Sequence, residues 1–214
     1  MRLLFHVGGP AFHPVAEQAR VVAGWVADRG HEVRLCDGNA AFDALDACDV
    51  FVLMGLHHTG EQGYVPPSSA QRQAFEAFVR GGGRVLAHHG GIASYDDWPE
   101  FGRLVGFRWV WGTSAHSPLQ VHPVRITPPA SPLTSGVEDF TIEDELYYGL
   151  ELDPRVAVHA VAGWDGREHA MVCSLLRPGE AGPAVYLANG HDLRAFRAPA
   201  LRQLWRNALD WLGA

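Results

Sequence analysis

The first half of this chain alternates short, almost continuously apolar segments with longer stretches of helical periodicity. Strands are predicted over Arg2–Val7, His31–Cys36, Val50–Leu53 and Arg84–Ala87. Helices are predicted between them over Val15–Arg29 and Ser68–Arg80. Strand–helix alternation with strands that are apolar on both faces is typical of a parallel sheet covered by helices on both sides. We therefore expect an α/β fold with a mostly parallel central sheet.

The second half is rich in prolines and contains shorter alternating segments. Strands are predicted around Val124–Ile126 and over Phe140–Tyr148, Ala157–Trp164, Met171–Leu176 and Ala184–Asn189, followed by an amphipathic helix over Ala198–Leu212. Short strands bounded by turn residues favour a small antiparallel extension inserted before the final strand and helix. The length of 214 residues fits a single domain over residues 1–214.

Histidines follow four of the predicted strands. They are His13, His57, His58, His88, His89 and His191. The loops beyond the carboxyl ends of parallel strands line one crevice, where α/β proteins bind their ligands. Imidazole changes its charge near neutral pH and is the commonest metal ligand in proteins. The pattern therefore predicts that these histidines converge on a functional site.

The segment Ala87–Gly91 has the layout of a nucleophile elbow, in which small residues flank a side chain raised on a tight turn. The central position of this elbow is His89. Neighbouring residues on an extended strand point to opposite faces, so only one of His88 and His89 should enter the crevice. An imidazole there acts as a general base or a metal ligand. The structural alternative is a histidine that is simply hydrogen-bonded at a strand end.

Asp192, beside His191, is a candidate to orient that imidazole. Its structural alternative is the N-cap of the final helix. His57, in a glycine-rich loop, is a candidate lid contact or a solvated side chain. Glu145 and Tyr147 would share one face of an extended segment, and a carboxylate beside a phenol suits proton transfer or hydrogen bonds to sugar hydroxyls. The alternative for this pair is an acidic, solvated edge strand.

His116 follows an aromatic patch that contains Trp109 and Trp111. Exposed aromatic rings near polar groups often stack on sugars, although tryptophan is more often part of a core. Exposed rings here would also be compatible with a homo-oligomer.

Composition excludes several classes of function. The formal net charge is −7 with no basic run, which argues against nucleic-acid and anionic-membrane partners. No apolar stretch is long enough to span a bilayer. Three cysteines without CxxC spacing indicate free thiols in a reducing compartment, so we expect a cytoplasmic protein. No GxGxxG motif follows a strand and no P-loop is present, which disfavours a dinucleotide or nucleotide cofactor.

Several motifs together resemble the trehalose-utilisation, or ThuA-like, family, which belongs to the superfamily with the class I glutamine amidotransferase fold. The motifs are FHP at 12–14, HHGG at 88–91, WPEF at 98–101, SPLTSGV at 131–137, DELY at 144–147 and GHD at 190–192. The resemblance covers nearly the whole chain. One departure is Ser131, where the family often has histidine, so Ser131 is not a ligand candidate.

The resemblance implies a flavodoxin-like three-layer sandwich whose amidotransferase cysteine elbow is rebuilt with His89, and it places His191 near the amidotransferase histidine. Glutaminase activity should then be absent. The family is linked to the catabolism of trehalose and related disaccharides, often beside dehydrogenases that make 3-keto sugars.

We therefore hypothesise an enzyme that acts on a disaccharide or keto-sugar derivative, with His89, His191 and Glu145 as catalytic groups. They would act by acid–base chemistry or by holding a divalent metal such as Zn²⁺. The residues expected to contact the sugar ligand are His13, His57, His116, Tyr147 and Asp192. The alternative function is a non-catalytic sugar-binding or regulatory module on a degenerate amidotransferase scaffold.

Overall fold

The computed structural model describes residues 1–214 and contains four α-helices and thirteen strands. The helices are α1 (Val15–Val26), α2 (Ser69–Arg80), α3 (Pro99–Val105) and α4 (Pro199–Gly213). The strands are β1 (Arg2–Val7), β2 (Glu32–Asp37), β3 (Val50–Leu53), β4 (Arg84–His88), β5 (Phe107–Arg108), β6 (Ala115–His116), β7 (Gln120–Ile126), β8 (Phe140–Asp144), β9 (Tyr147–Tyr148), β10 (Glu151–Leu152), β11 (Ala157–Trp164), β12 (Arg167–Arg177) and β13 (Ala181–Leu187).

Nine of these strands form one sheet in the order β2-β1-β3-β4-β13-β12-β11-β7-β8. The strands from β2 to β13 in this order are parallel, and those from β12 to β8 pair antiparallel. The predicted α/β class is confirmed. The antiparallel extension is part of the same sheet and supplies four of its nine strands. Two short pairs, β5–β10 and β6–β9, lie apart from it.

Helices cover both faces of the parallel half, which gives the three layers of the expected sandwich. On one face Phe5 of β1 stacks on Trp205 of α4, and α4 also contacts α1. On the other face Phe51 of β3 packs on Phe75 of α2, and α2 contacts α3. Phe51 pairs in register with Leu4, the neighbour of Phe5, so the two phenylalanines point to opposite faces. Apolar side chains on both faces of a strand explain why the strand sequences do not alternate.

Several predicted boundaries shift by one or more residues, and three differences from the predictions have a local structural cause. The helix predicted over Val15–Arg29 ends at Val26 and continues as a 3₁₀ turn to Gly30, which adopts a left-handed conformation with φ of 67°. The strand predicted over Phe140–Tyr148 breaks after Asp144, because the carboxylate of Asp144 accepts the backbone N–H of the next residue.

The third difference concerns Asp192, which is not the N-cap of the final helix. That helix begins at Pro199, and Asp192 instead caps a local turn by accepting the backbone N–H of Arg194. None of the four helices is both long and apolar enough to cross a membrane.

The first turn of α2 provides a test of the local fold. The Ser68 hydroxyl accepts the backbone N–H of Gln71, and the Gln71 side chain accepts the backbone N–H of Ser68. We expect Ser68→Ala to lower the free energy of unfolding by about 1 kcal/mol because this reciprocal capping is lost. Urea denaturation measures the change. The matched control is Ser69→Ala, one residue inside the helix, which should change stability by less than half as much; equal losses would contradict the capping role.

Candidate active site at the carboxyl ends of the strands

His89 occupies a strained turn directly after β4. Its φ is 39°, in the left-handed region that residues with a side chain adopt at a cost of about 1–3 kcal/mol. The two following glycines are closely packed, and at Gly91 the close neighbour is backbone. A Cβ on Gly90 would lie 2.8 Å from Cε1 of His13, and a Cβ on Gly91 would lie 2.5 Å from the backbone oxygen of Leu53. The segment therefore has the geometry of an elbow, with the imidazole of His89 at its raised position.

The two histidines of this elbow point to opposite sides of the sheet. His88 packs against Trp205 in the core, with ring centroids 5.1 Å apart, and burial lowers its pKa to about 3. His89 lies against Tyr147, with ring centroids 4.1 Å apart. Only His89 therefore reaches the crevice at the carboxyl ends of the strands.

Four side chains from four different loops converge at this crevice. His13 follows β1, His89 follows β4, Glu145 follows β8 and His191 follows β13. Nε2 of His13 lies 2.9 Å from Nδ1 of His191, and the same Nδ1 lies 3.1 Å from Oε2 of Glu145. One nitrogen or carboxylate oxygen from each of the four residues lies within 4.8 Å of the others. The open end of the parallel sheet thus gathers three imidazoles and one carboxylate.

The hydrogen bond of His89 defines its tautomer. Its Nδ1 lies 2.7 Å from the backbone oxygen of Ala188, which only accepts, so Nδ1 carries the proton. Nε2 is then an unprotonated nitrogen, and it is buried without a hydrogen-bond partner. Burial, together with the nearby His13, holds the pKa of His89 well below its ordinary value. His89 is therefore neutral near pH 7 and presents a free lone pair.

The other members of the cluster carry different charges. Burial and the neighbouring His191 lower the pKa of His13 to about 4. Burial also acts to lower the pKa of His191, but the hydrogen bond and charge of Glu145 outweigh it and raise that pKa above its ordinary value. For Glu145, burial opposes ionisation, and the contacts with His191 and His116 overcome it and lower the pKa. The cluster thus joins one ion pair to two neutral imidazoles.

Asp144 holds two of these side chains in place, and the sequence analysis did not assign it a role. Its carboxylate is fully buried and accepts four N–H groups: Nδ2 of Asn189 at 3.1 Å, and the backbone N–H of Gly190, His191 and Glu145 at 2.7, 2.9 and 3.0 Å. Burial raises the pKa of Asp144 to about 6, against the effect of these hydrogen bonds. One signal was available in the sequence, because Asp144 lies between Ile142 and Leu146 on the apolar side of the alternation.

An aromatic cavity of about 410 Å³ opens above the cluster. Its walls include Phe12, Trp109, Trp111 and Tyr147. The ring of His58 stacks on Trp111, with centroids 4.5 Å apart. Trp111 is 46% exposed, so part of its indole ring is open to solvent. The cavity therefore combines aromatic walls with the polar histidine and glutamate floor.

Of three further candidate residues, one lines this cavity and two do not. His116 lines it, with Nδ1 3.4 Å from Oε2 of Glu145. His57 faces away: its Nε2–H donates to the backbone oxygen of Val7, and the adjacent His58 lines the cavity instead. Asp192 does not line the cavity, because its carboxylate is bound to the Arg194 guanidinium. Periodicity alone could not decide between His57 and His58, which are neighbours in a loop.

A profile of the ThuA family, described as trehalose utilisation, matches residues 3–212. The chain belongs to the ThuA family. No match was found among curated protein sequences. A ThuA-like protein from Parabacteroides merdae superposes with a TM-score of 0.81 and 16% identity, over 100% of this chain and 90% of that one. A ThuA-like protein from Bacteroides uniformis superposes with a TM-score of 0.75 and 18% identity, over 99% and 90%.

The same fold occurs outside the ThuA family. A glutamine amidotransferase from Thermotoga maritima superposes with a TM-score of 0.52 and 10% identity, over 99% of this chain and 97% of that one. Identity this low shows a shared fold and nothing about activity. In the ThuA-family chain described here the elbow residue is His89, while the thiols of Cys48 and Cys173 are buried, and burial raises the pKa of each to about 12.

Asp144 provides a test of how the site is held together. Asp144→Asn places an amide NH₂ against N–H donors, so at least one buried group loses its partner, and we expect the free energy of unfolding to fall by about 3 kcal/mol. Chemical denaturation measures this loss. Glu143→Gln, on the exposed face of the same strand, is the control and should stay within about 0.5 kcal/mol of the parent protein. A neutral Asp144→Asn variant would show that the four hydrogen bonds contribute little.

Proposed function

We propose that this ThuA-family protein is an enzyme of carbohydrate catabolism that acts on an uncharged disaccharide or keto-sugar derivative. The observation that carries the proposal is the position of the histidine and glutamate cluster at the floor of an aromatic cavity. Family membership supports a role related to trehalose utilisation. The cavity supports a sugar, since sugars present both hydroxyl groups and apolar C–H faces.

The lining of the cavity favours a substrate without phosphate. Its polar groups are imidazoles, the carboxylate of Glu145 and the hydroxyl of Tyr147, and no arginine lines it. The chain contains no lysine. Phosphate recognition in proteins commonly relies on arginine or lysine. Hydroxyl groups, in contrast, pair well with carboxylates, imidazoles and phenols.

The cluster supplies groups for proton transfer. The C–H bond next to the carbonyl of a keto sugar is acidified, and a carboxylate or imidazole within reach can take up that proton. Glu145 and His191 line the cavity and form the charged pair that would exchange protons with the substrate, whereas His89 does not line it and holds a buried, free Nε2 beside them. We assign catalytic roles to these three residues and substrate contacts to His13, His116 and Tyr147. The roles predicted for His57 and Asp192 receive no support from their positions.

Glutaminase activity is not part of the proposal. Amidotransferase chemistry needs a thiolate at the elbow, and the residue there is His89. The two buried thiols have pKa values near 12, so neither supplies a thiolate near pH 7.

A substrate panel tests the proposed function. Disaccharides, their 3-keto forms and simple keto sugars are incubated with the protein, and products are followed by NMR, with solvent deuterium uptake as the sign of proton abstraction. We expect turnover of at least one keto sugar, reduced roughly 100-fold or more in His89→Ala and Glu145→Gln. The control His159→Ala, on β11, should keep full activity. Ligand binding by calorimetry without any turnover would instead establish the sugar-binding module.

Trp111 tests the contribution of stacking to substrate binding. Removing an exposed aromatic ring from the entrance should raise KM roughly 5- to 10-fold and leave kcat within about twofold, because stacking acts on ground and transition states alike. Steady-state kinetics of Trp111→Ala measure both constants. Trp111→Phe retains a ring and should recover most of the affinity. An unchanged KM in Trp111→Ala would show that Trp111 does not contact the bound sugar.

A further inference from the structure

We propose that His13, His89, Glu145 and His191 bind one divalent transition-metal ion. The proposal concerns the site already described, and it rests on the proposed function only for the part that the ion would play in the reaction. Binding itself is argued from the positions of the four side chains.

The distances between the donor atoms fit a single ion. Metal–ligand bonds of about 2.0–2.1 Å in a tetrahedral site place the ligand atoms roughly 3.3 Å from one another. Here Nδ1 of His191 lies 2.9 Å from Nε2 of His13 and 3.1 Å from Oε2 of Glu145, and all four donors lie within 4.8 Å. The two measured spacings are therefore close to the tetrahedral value.

Hydrogen bonding alone accounts poorly for the contacts of His191. Its Nδ1 faces Nε2 of His13 and Oε2 of Glu145 at the same time, and one ring nitrogen carries at most one proton. If that proton points to Glu145, the nitrogen of His13 receives no good donor from it. If Nδ1 is unprotonated, its lone pair faces the carboxylate. A cation among the donors satisfies both contacts.

His89 carries the features of a metal-binding histidine. Its Nδ1–H donates to the backbone oxygen of Ala188, which is the outer hydrogen bond that orients ligating imidazoles in metal sites. Its Nε2 is buried and has no partner, His89 belongs to the cluster, and the whole residue is only 2% exposed. A buried imidazole nitrogen without a partner is an unsatisfied polar atom, and an ion would satisfy it.

Asp144 completes the arrangement as a positioning residue. Its carboxylate accepts the backbone N–H groups of both Glu145 and His191, so it fixes the positions of two ligands from separate loops relative to each other. When both are ionised, Asp144 and Glu145 balance the two charges of a divalent ion. Outer-shell groups that position metal ligands commonly contribute 10- to 100-fold to metal affinity, so about that loss is expected without Asp144.

The donor set selects the class of ion. Three imidazoles and one carboxylate suit Zn²⁺, Co²⁺ or Ni²⁺, whereas Ca²⁺ and Mg²⁺ prefer sites made of oxygen ligands. The aromatic cavity lies on one side of the cluster, so a substrate oxygen or a water molecule could approach the ion from there as a fifth ligand. A metal ion in that place polarises a carbonyl or lowers the pKa of bound water.

Cobalt titration of the tag-free, chelator-treated protein tests the proposal. We expect one Co²⁺ per chain with visible d–d absorption bands, displaced by Zn²⁺ at the same stoichiometry. His191→Ala and the isosteric Glu145→Gln should lose roughly 100-fold in affinity, and Asp144→Asn roughly 10- to 100-fold with altered bands. The control His159→Ala should bind as the parent protein does. Circular dichroism confirms that each variant is folded.

Two results would overturn the proposal: no cobalt bands in the parent protein, or equal affinity in the parent and in folded Glu145→Gln. Failure of the metal proposal differs from failure of the proposed function. If keto-sugar turnover persists in metal-free protein, the metal proposal is wrong and the proposed enzymatic function stands. If the protein binds one metal ion but turns over no sugar, the metal proposal stands and the proposed sugar reaction is wrong.

Discussion

The site depends on one buried carboxylate. Asp144 ends β8, and its two oxygens accept N–H groups from Glu145 beside it and from residues 189–191 after β13. These strands are not neighbours in the sheet, since three others separate them. The carboxylate therefore joins the antiparallel edge to the parallel half across the open end of the sheet. Without it, the two loops would lose the backbone hydrogen bonds that hold Glu145 and His191 next to each other.

The parallel half supplies the other part of the site through a different constraint. His89 lies on a left-handed turn that is closely packed against β3 and His13, so its side chain has little freedom. The same turn directs His88 into the core, where Trp205 surrounds it with apolar surface. The strained turn and burial thus leave His89 as a neutral imidazole. One of its ring nitrogens is held by a hydrogen bond and the other has a free lone pair, which is the form that suits a metal ligand or a general base.

Much of this arrangement followed from the sequence, because two simple rules govern it. Apolar strands that alternate with helices predict a parallel sheet, and the loops after such strands meet at one edge, which brought His13, His89 and His191 together. The rules fail where side chains, and not periodicity, decide the backbone. Asp144 interrupts an alternating segment by binding its own chain. The choice between His57 and His58 depended on a loop conformation that no pattern describes.

One contact in the cluster has a consequence for folding. His13 and His191 are 178 residues apart in the chain, and their rings meet only after the first and last strands of the parallel half have docked. The site therefore does not exist in partly folded chains that lack either end. Any ligand that bridges these side chains binds the native state alone. Such a ligand links the two ends of the polypeptide reversibly and shifts the folding equilibrium toward the native state by mass action.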